Sequence, residues 1–113
     1  MKILLVGATG QIGHALAQAL SASEHELTVL VRDRQRAELP ANVRVLEAPV
    51  FDAKAFGEAL QGQDAAIYGV GLPEQFTFDS GIFQRTNVGI LEVFLDAMRN
   101  TPVRRMVYLS TYQ

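Results

Sequence analysis

The sequence predicts an α/β fold, a doubly wound parallel sheet with helices on both faces. Three observations carry this expectation. Short apolar runs alternate with stretches of helical periodicity along all 113 residues. The runs are continuously apolar, as strands covered on both faces must be. The first run ends on Gly7, with Gly10 and Gly13 at three-residue steps, and leads straight into a helical pattern. A strand, a glycine-rich turn and a helix in that order make a device for holding a pyrophosphate. The glycines let backbone N–H groups approach the phosphates, and the helix N-terminus adds partial positive charge.

Each element has its own signal. Lys2–Val6 reads as the first strand. Ile12, Ala15, Leu16, Ala19 and Leu20 recur at helical spacing over about Gln11–Ser21. Leu27–Val31 is a second strand, followed by the polar run Arg32-Asp33-Arg34-Gln35-Arg36. Val43–Leu46 is a third strand, entered through Pro40-Ala41-Asn42. Asp52 is placed to N-cap a helix through Leu60 that Gly62 closes. Ala65–Tyr68 is a fourth strand, followed by a loop rich in Gly, Pro and Phe. Ser80–Arg99 forms a long helix with Phe83, Asn87, Ile90, Leu91, Phe94 and Met98 on one face, stopped by Asn100-Thr101-Pro102. Arg105–Ser110 is a fifth strand. Strand–helix alternation with right-handed crossovers predicts the spatial order 3-2-1-4-5. The chain stops at Gln113, so residues 1–113 read as one domain, truncated after strand five and incomplete at the C-terminus.

Composition narrows the function classes. A net charge of −2 offers no basic surface, so no nucleic-acid partner is expected. Without cysteine there is no disulfide framework, thiol nucleophile or cysteine metal site, and the two histidines have no ligand-like spacing. No apolar run approaches the ~20 residues that span a membrane. Met1-Lys2 runs directly into a strand pattern, so no signal peptide is read and a cytoplasmic location is expected.

Several residues carry possible chemistry. Arg32 follows strand two, where a dinucleotide's adenosine ribose meets this kind of sheet. An acid there suits a 2′-hydroxyl and an Arg suits a 2′-phosphate. Arg34 and Arg36 lie nearby, Asp33 argues the other way, and a solvated charged turn is the bland alternative. Asn87 lies on the apolar face of its helix, where its amide needs partners. A core Asn bonded to backbone and an Asn beside a catalytic centre fit that position equally. Ser110-Thr111 falls at the carboxyl end of strand five, where a hydroxyl can meet a substrate oxygen or only water. His14, Tyr68, Phe76 and Phe78 read as packing or loop anchors.

Together these stretches resemble the short-chain dehydrogenase/reductase superfamily, in its extended and atypical branch of NAD-dependent epimerase/dehydratase type. The resemblance covers the whole chain, as the N-terminal part of such a protein, and implies a Rossmann-type domain. Gly7-Ala-Thr-Gly-Gln-Ile-Gly13 is similar to that branch's nucleotide loop, which implies cofactor contacts from Gly7, Thr9, Gly10, Gln11, Ile12 and Gly13. Val31-Arg32-Asp33 is similar to the stretch where atypical members often hold NADP. Gln63–Gly71 resembles the fourth strand and its loop beside the nicotinamide ribose, which implicates Val70 and Gly71. Thr86–Leu91 resembles the helix whose Asn, here Asn87, belongs to a catalytic tetrad. In Arg105–Thr111, Thr111 falls where the catalytic Ser or Thr sits.

The sequence also departs from that family. The third strand there typically ends in Gly-Asp, which contacts adenine, and here Ala48-Pro49 stands instead. No Tyr-x-x-x-Lys, the family's acid/base pair, occurs in these 113 residues. The expected function is therefore the nicotinamide-dinucleotide-binding portion of a reductase or epimerase/dehydratase-like enzyme, inactive as this fragment. The expected cofactor is NADP or NAD, with NADP preferred. A non-enzymatic NAD(P)-binding or sensing module, or a vestigial truncated product, is the alternative. Self-association through the strand-five edge is also expected.

Overall fold

In a computed structural model the chain forms a five-stranded parallel sheet in the order β3-β2-β1-β4-β5. The structure describes residues 1–7, 11–36, 39–70 and 80–109, with the backbone alone at 11, 12, 36 and 80–88. The strands are β1 (Lys2–Val6), β2 (Glu26–Val31), β3 (Arg44–Glu47), β4 (Ala65–Tyr68) and β5 (Arg105–Tyr108). The helices are α1 (Gln11–Ser21), α2 (Ala53–Leu60) and α3 (Ser80–Arg99). β1 lies at the centre, with Val6 beside Leu30 on one side and Tyr68 on the other.

The two faces divide by the strand period of two. Ile3, Leu5, Leu27, Val29 and Val31 point to one face and bury Ala17 of α1, with Leu16 and Leu20 packed alongside. Leu4, Val6, Leu30, Ala66 and Tyr68 point to the other, where Phe56, Ala59 and Leu60 of α2 and Phe94 and Ala97 of α3 cover them. Leu4, Leu5 and Val6 are fully buried, so β1 needs apolar residues at every position. Each fully buried aliphatic side chain of this size contributes about 1.5–3 kcal/mol.

The second face carries a run of five rings. Phe51 tilts onto Phe56 at 5.5 Å, and Phe56 meets Phe94 edge-on at 5.0 Å. Tyr68 lies 5.0 Å from Phe94, and Tyr108 stacks on Tyr68 at 6.0 Å and 19°. These offset and edge-on geometries are the ones that ring quadrupoles favour.

The Asp52 cap is observed. Its side chain accepts a 2.8 Å hydrogen bond from the Ala55 N–H, and α2 runs to Leu60 as read from the sequence. Gly62 follows with φ +77°, the left-handed conformation that ends such a helix at low cost.

Four expectations need correction. β5 ends at Tyr108, short of the Ser110 read from the sequence, because its partner β4 ends at Tyr68; Ser110 itself lies outside the described residues. Full strand–helix alternation fails between β2 and β3, where the described residues form a three-residue 3₁₀ turn, Arg34–Arg36, and no α-helix. The run 32–36 has no apolar stripe to lay against the sheet, so no longer helix is stabilised there. β2 begins one residue earlier than read, at Glu26, because the Glu26 N–H donates to the Met1 carbonyl and extends the ladder. β3 is displaced one residue, to Arg44–Glu47, by pairing with Thr28–Val31. Strand pairing, a tertiary contact, sets these limits.

Candidate dinucleotide site

The site is built at the carboxyl ends of β1, β2 and β4. Sequential strands leave β1 on one side toward β2, while β4 lies on the other side. The order therefore reverses at β1, and open parallel sheets bind ligands at the crevice such a reversal creates. β1 delivers Gly7 to that point, and α1 begins at Gln11. The first turn of α1 has orphan N–H groups and the positive end of the helix dipole.

Gly7 has φ +88°, where a side chain is strained. A Cβ built there would lie 2.8 Å from the Gly69 carbonyl oxygen and 3.0 Å from the Val70 nitrogen. Two backbones thus pass each other directly at the mouth of the sheet. The Gly69 N–H donates to the Val6 carbonyl at 2.9 Å and holds the approach closed. A Cβ on Gly69 would in turn meet Leu109 Cδ1 at 3.1 Å. Gly13 is buried in the opening turns of α1, where a bare backbone permits close helix–sheet packing.

At the other end of the crevice stands Arg32, exposed after β2, with its guanidinium carbon 5.5 Å from the Phe51 ring centre. Its neighbours are committed elsewhere. Asp33 Oδ1 accepts the Gln35 N–H at 3.0 Å and shapes the 3₁₀ turn. Arg34 donates from its side chain to the Val45 carbonyl at 3.0 Å, and from its backbone N–H to Glu47 at 2.7 Å.

Tyr68 lies directly under the β4 carboxyl end. It is 1% exposed and serves as packing, as the sequence reading had it. Its hydroxyl has no hydrogen-bond partner among the described residues, and burial, with Tyr108 alongside, pushes its pKa up to about 12.

The structure therefore brings Gly7, Gly13, Arg32 and Val70 to one end of the sheet. Thr9, Gly10, Gly71, Ser110, Thr111, Phe76 and Phe78 lie outside the described residues. Gln11 and Ile12 begin α1, and Asn87 lies within α3, with their side chains outside the description. Two residues escaped the sequence reading. Gly69 is the wall against which Gly7 closes, and its signal is a glycine directly after an apolar strand. Phe51 is the ring beneath Arg32, and no local pattern marks an aromatic just before a helix cap as the partner of a residue nineteen positions earlier.

A backbone cradle at Gly7 that admits no Cβ, an adjoining helix start and an exposed cation after β2 fit a nicotinamide dinucleotide. Comparison with known proteins agrees. The sequence model of a family described as NAD(P)H-binding matches residues 7–113. A 3-diazoavenalumate denitrifying reductase from a Streptomyces species is 47% identical over 55 residues, 49% of this chain and 17% of that protein. A Burkholderia pseudomallei protein, described as a candidate exported protein, is 32% identical with a TM-score of 0.69, over 96% of this chain and 46% of its own. UDP-N-acetylglucosamine 4-epimerase from Bacillus cereus shares the fold at 16% identity, with a TM-score of 0.80 over 100% of this chain and 40% of its own. The chain thus spans less than half the length of these relatives. Among the described residues no helix is long and apolar enough to cross a membrane. The chain belongs to the NAD(P)H-binding family, and its structural neighbours lie in the Rossmann-type superfamily of short-chain dehydrogenase/reductases and epimerases.

Proposed function

We propose that the chain is the cofactor-holding portion of a reductase or epimerase/dehydratase-like enzyme and that it prefers NADP to NAD. The observation that carries this is the Gly7–Gly69 approach, 2.8 Å from a built Cβ to a carbonyl oxygen, at the reversal point of the sheet. A bound nicotinamide would supply hydride transfer to or from a carbonyl or alcohol carbon. The residues of this chain bind and orient. Gly7, Thr9, Gly10, Gln11, Ile12 and Gly13 would hold the pyrophosphate. Val70 and Gly71 would hold the nicotinamide ribose, and Arg32 would bind the adenosine 2′-phosphate. Asn87 and Thr111 would serve the reacting end, the Thr111 hydroxyl as a hydrogen-bond partner for the substrate oxygen.

The preference for NADP rests on charge. Arg32 is exposed, and no hydrogen bond or ion pair engages its side chain among the described residues. The Asp33 carboxylate, which would suit NAD, is engaged in the turn. Calorimetric titration of the chain with each dinucleotide tests the reading, with Arg32→Glu as the variant. NADP should bind more tightly to the unmodified chain, and Arg32→Glu should erase or reverse the difference. Tighter binding of NAD to the unmodified chain would refute the assignment of Arg32.

A further inference from the structure

We propose that Phe51 is the positioning residue for 2′-phosphate recognition, a rigid ring that holds the Arg32 guanidinium over the adenosine end of the crevice. This rests on the reading that Arg32 confers the preference for NADP. An Arg on an exposed turn carries large rotamer entropy, and fixing it on a ligand sacrifices that freedom. A side chain already held in place loses less on binding. Phe51 is suited to do the holding. It is 9% exposed, packs at 5.5 Å against Phe56, and belongs to the core cluster beneath β1 and β2. The Arg32 carbon stands 5.5 Å from the Phe51 centroid, within cation–π range.

The contact works through charge, and a guanidinium has five N–H donors to offer a phosphate. Strand alternation puts the pair together. Leu30 belongs to the same core cluster as Phe51, and Arg32, two residues on, follows it to that face. The Asp52 cap fixes the backbone next to Phe51 through its bond from the Ala55 N–H.

The inference makes Phe51 act only on ligands that carry a 2′-phosphate. The test measures affinities of the 113-residue chain for NADP, NAD, adenosine 2′,5′-bisphosphate and 5′-AMP. The variants are Phe51→Leu, Phe51→Met, Phe51→Tyr, Arg32→Gln and the Arg32→Gln/Phe51→Leu pair. Circular dichroism and thermal unfolding report that each variant is folded. Phe51→Leu and Phe51→Met should weaken NADP and the bisphosphate by about 3- to 10-fold and leave NAD and 5′-AMP within about twofold. Phe51→Tyr, which keeps the ring, should retain the unmodified affinities. In the Arg32→Gln background Phe51→Leu should add nothing. Without any ligand, the Arg32 side-chain protons should show an upfield ring-current shift in NMR spectra that Phe51→Leu abolishes.

If Arg32→Gln lowers the NADP preference while Phe51→Leu and Phe51→Met leave it intact, this inference is overturned and the assignment of Arg32 survives. Equal weakening of NADP and NAD by Phe51→Leu would make the ring an adenine platform and would overturn it too. An Arg32→Gln variant with unchanged preference, or an unmodified chain that binds neither dinucleotide, would refute the underlying reading and the inference with it.

Discussion

The Gly7 cradle can be tested against two other glycines that separate its parts. Gly7→Ala meets two penalties. The left-handed φ of +88° costs an L-residue about 1–2 kcal/mol. The new methyl also sits 2.8 Å from the Gly69 oxygen and 2.9 Å from its carbon, well inside the ~3.5–4.0 Å of favourable contact. Backbone atoms cannot swing aside as a flexible side chain does, so the β4 end must shift, at about 1–3 kcal/mol. The expected loss is about 2–5 kcal/mol, a large share of the ~5–15 kcal/mol that holds a domain together. Gly62→Ala meets the first penalty alone. Its φ is +77°, but nothing lies within 4 Å of a built Cβ, so about 1–2 kcal/mol is expected. Gly57→Ala meets neither, in the interior of α2 with open space around it, and should stabilise by about 0.5–1 kcal/mol. Thermal and urea unfolding would measure the series. At roughly 4 °C per kcal/mol, Gly7→Ala should melt about 8–20 °C below the unmodified chain, Gly62→Ala about 4–8 °C below, and Gly57→Ala slightly above. If Gly7→Ala melts no lower than Gly62→Ala, the close approach of β1 and β4 is not what excludes a side chain, and the cradle argument falls.

Three further outcomes are expected. Tyr68, with its pKa pushed up to about 12 from 10.0, stays protonated in the fold while the unfolded chain ionises, so this contribution to stability is fully present below pH 10 and is lost as pH rises toward 12. Tyrosinate absorbance should show a late titration that Tyr68→Phe removes, and this variant, which keeps the ring and removes a hydroxyl with no partner among the described residues, should be neutral or stabilising by up to ~1 kcal/mol; a clear loss would mean that the hydroxyl has a partner. The 113-residue chain should show no dehydrogenase or epimerase turnover, because the acid/base pair it lacks contributes ~10²–10⁴-fold in such reactions; cofactor-dependent turnover at a rate ordinary for such enzymes would sink this. The chain should also self-associate through β5, one of the two edge strands of the described sheet, where Val107 and Tyr108 are 56% and 50% exposed; a clean monomer in sedimentation equilibrium at micromolar concentration would refute it.

Much of this protein is legible in its sequence, because the relevant signals are local. Continuously apolar Ile3–Val6 can only be a strand buried on both faces. Asp52 announces α2 because an N-cap acts three residues away, through the Ala55 N–H. The glycine spacing after β1 predicts an anion site, because the residues of such a motif are consecutive in the chain. With the handedness of crossovers, those signals suffice for the strand order 3-2-1-4-5. What the tertiary structure alone decided involves residues far apart in sequence. Gly7 and Gly69 are each an ordinary turn glycine until β1 pairs with β4 and leaves no room for a Cβ between them. Arg32 is one charge among several until the fold sets it over Phe51, while Asp33 and Arg34 are drawn into the turn and β3. Strand limits at β2 and β3 were likewise set by pairing across the sheet. A local pattern tells which conformation a segment prefers. Which side chains meet depends on the packing of distant segments, and only the folded sheet brings Gly7 against Gly69 and Arg32 over Phe51.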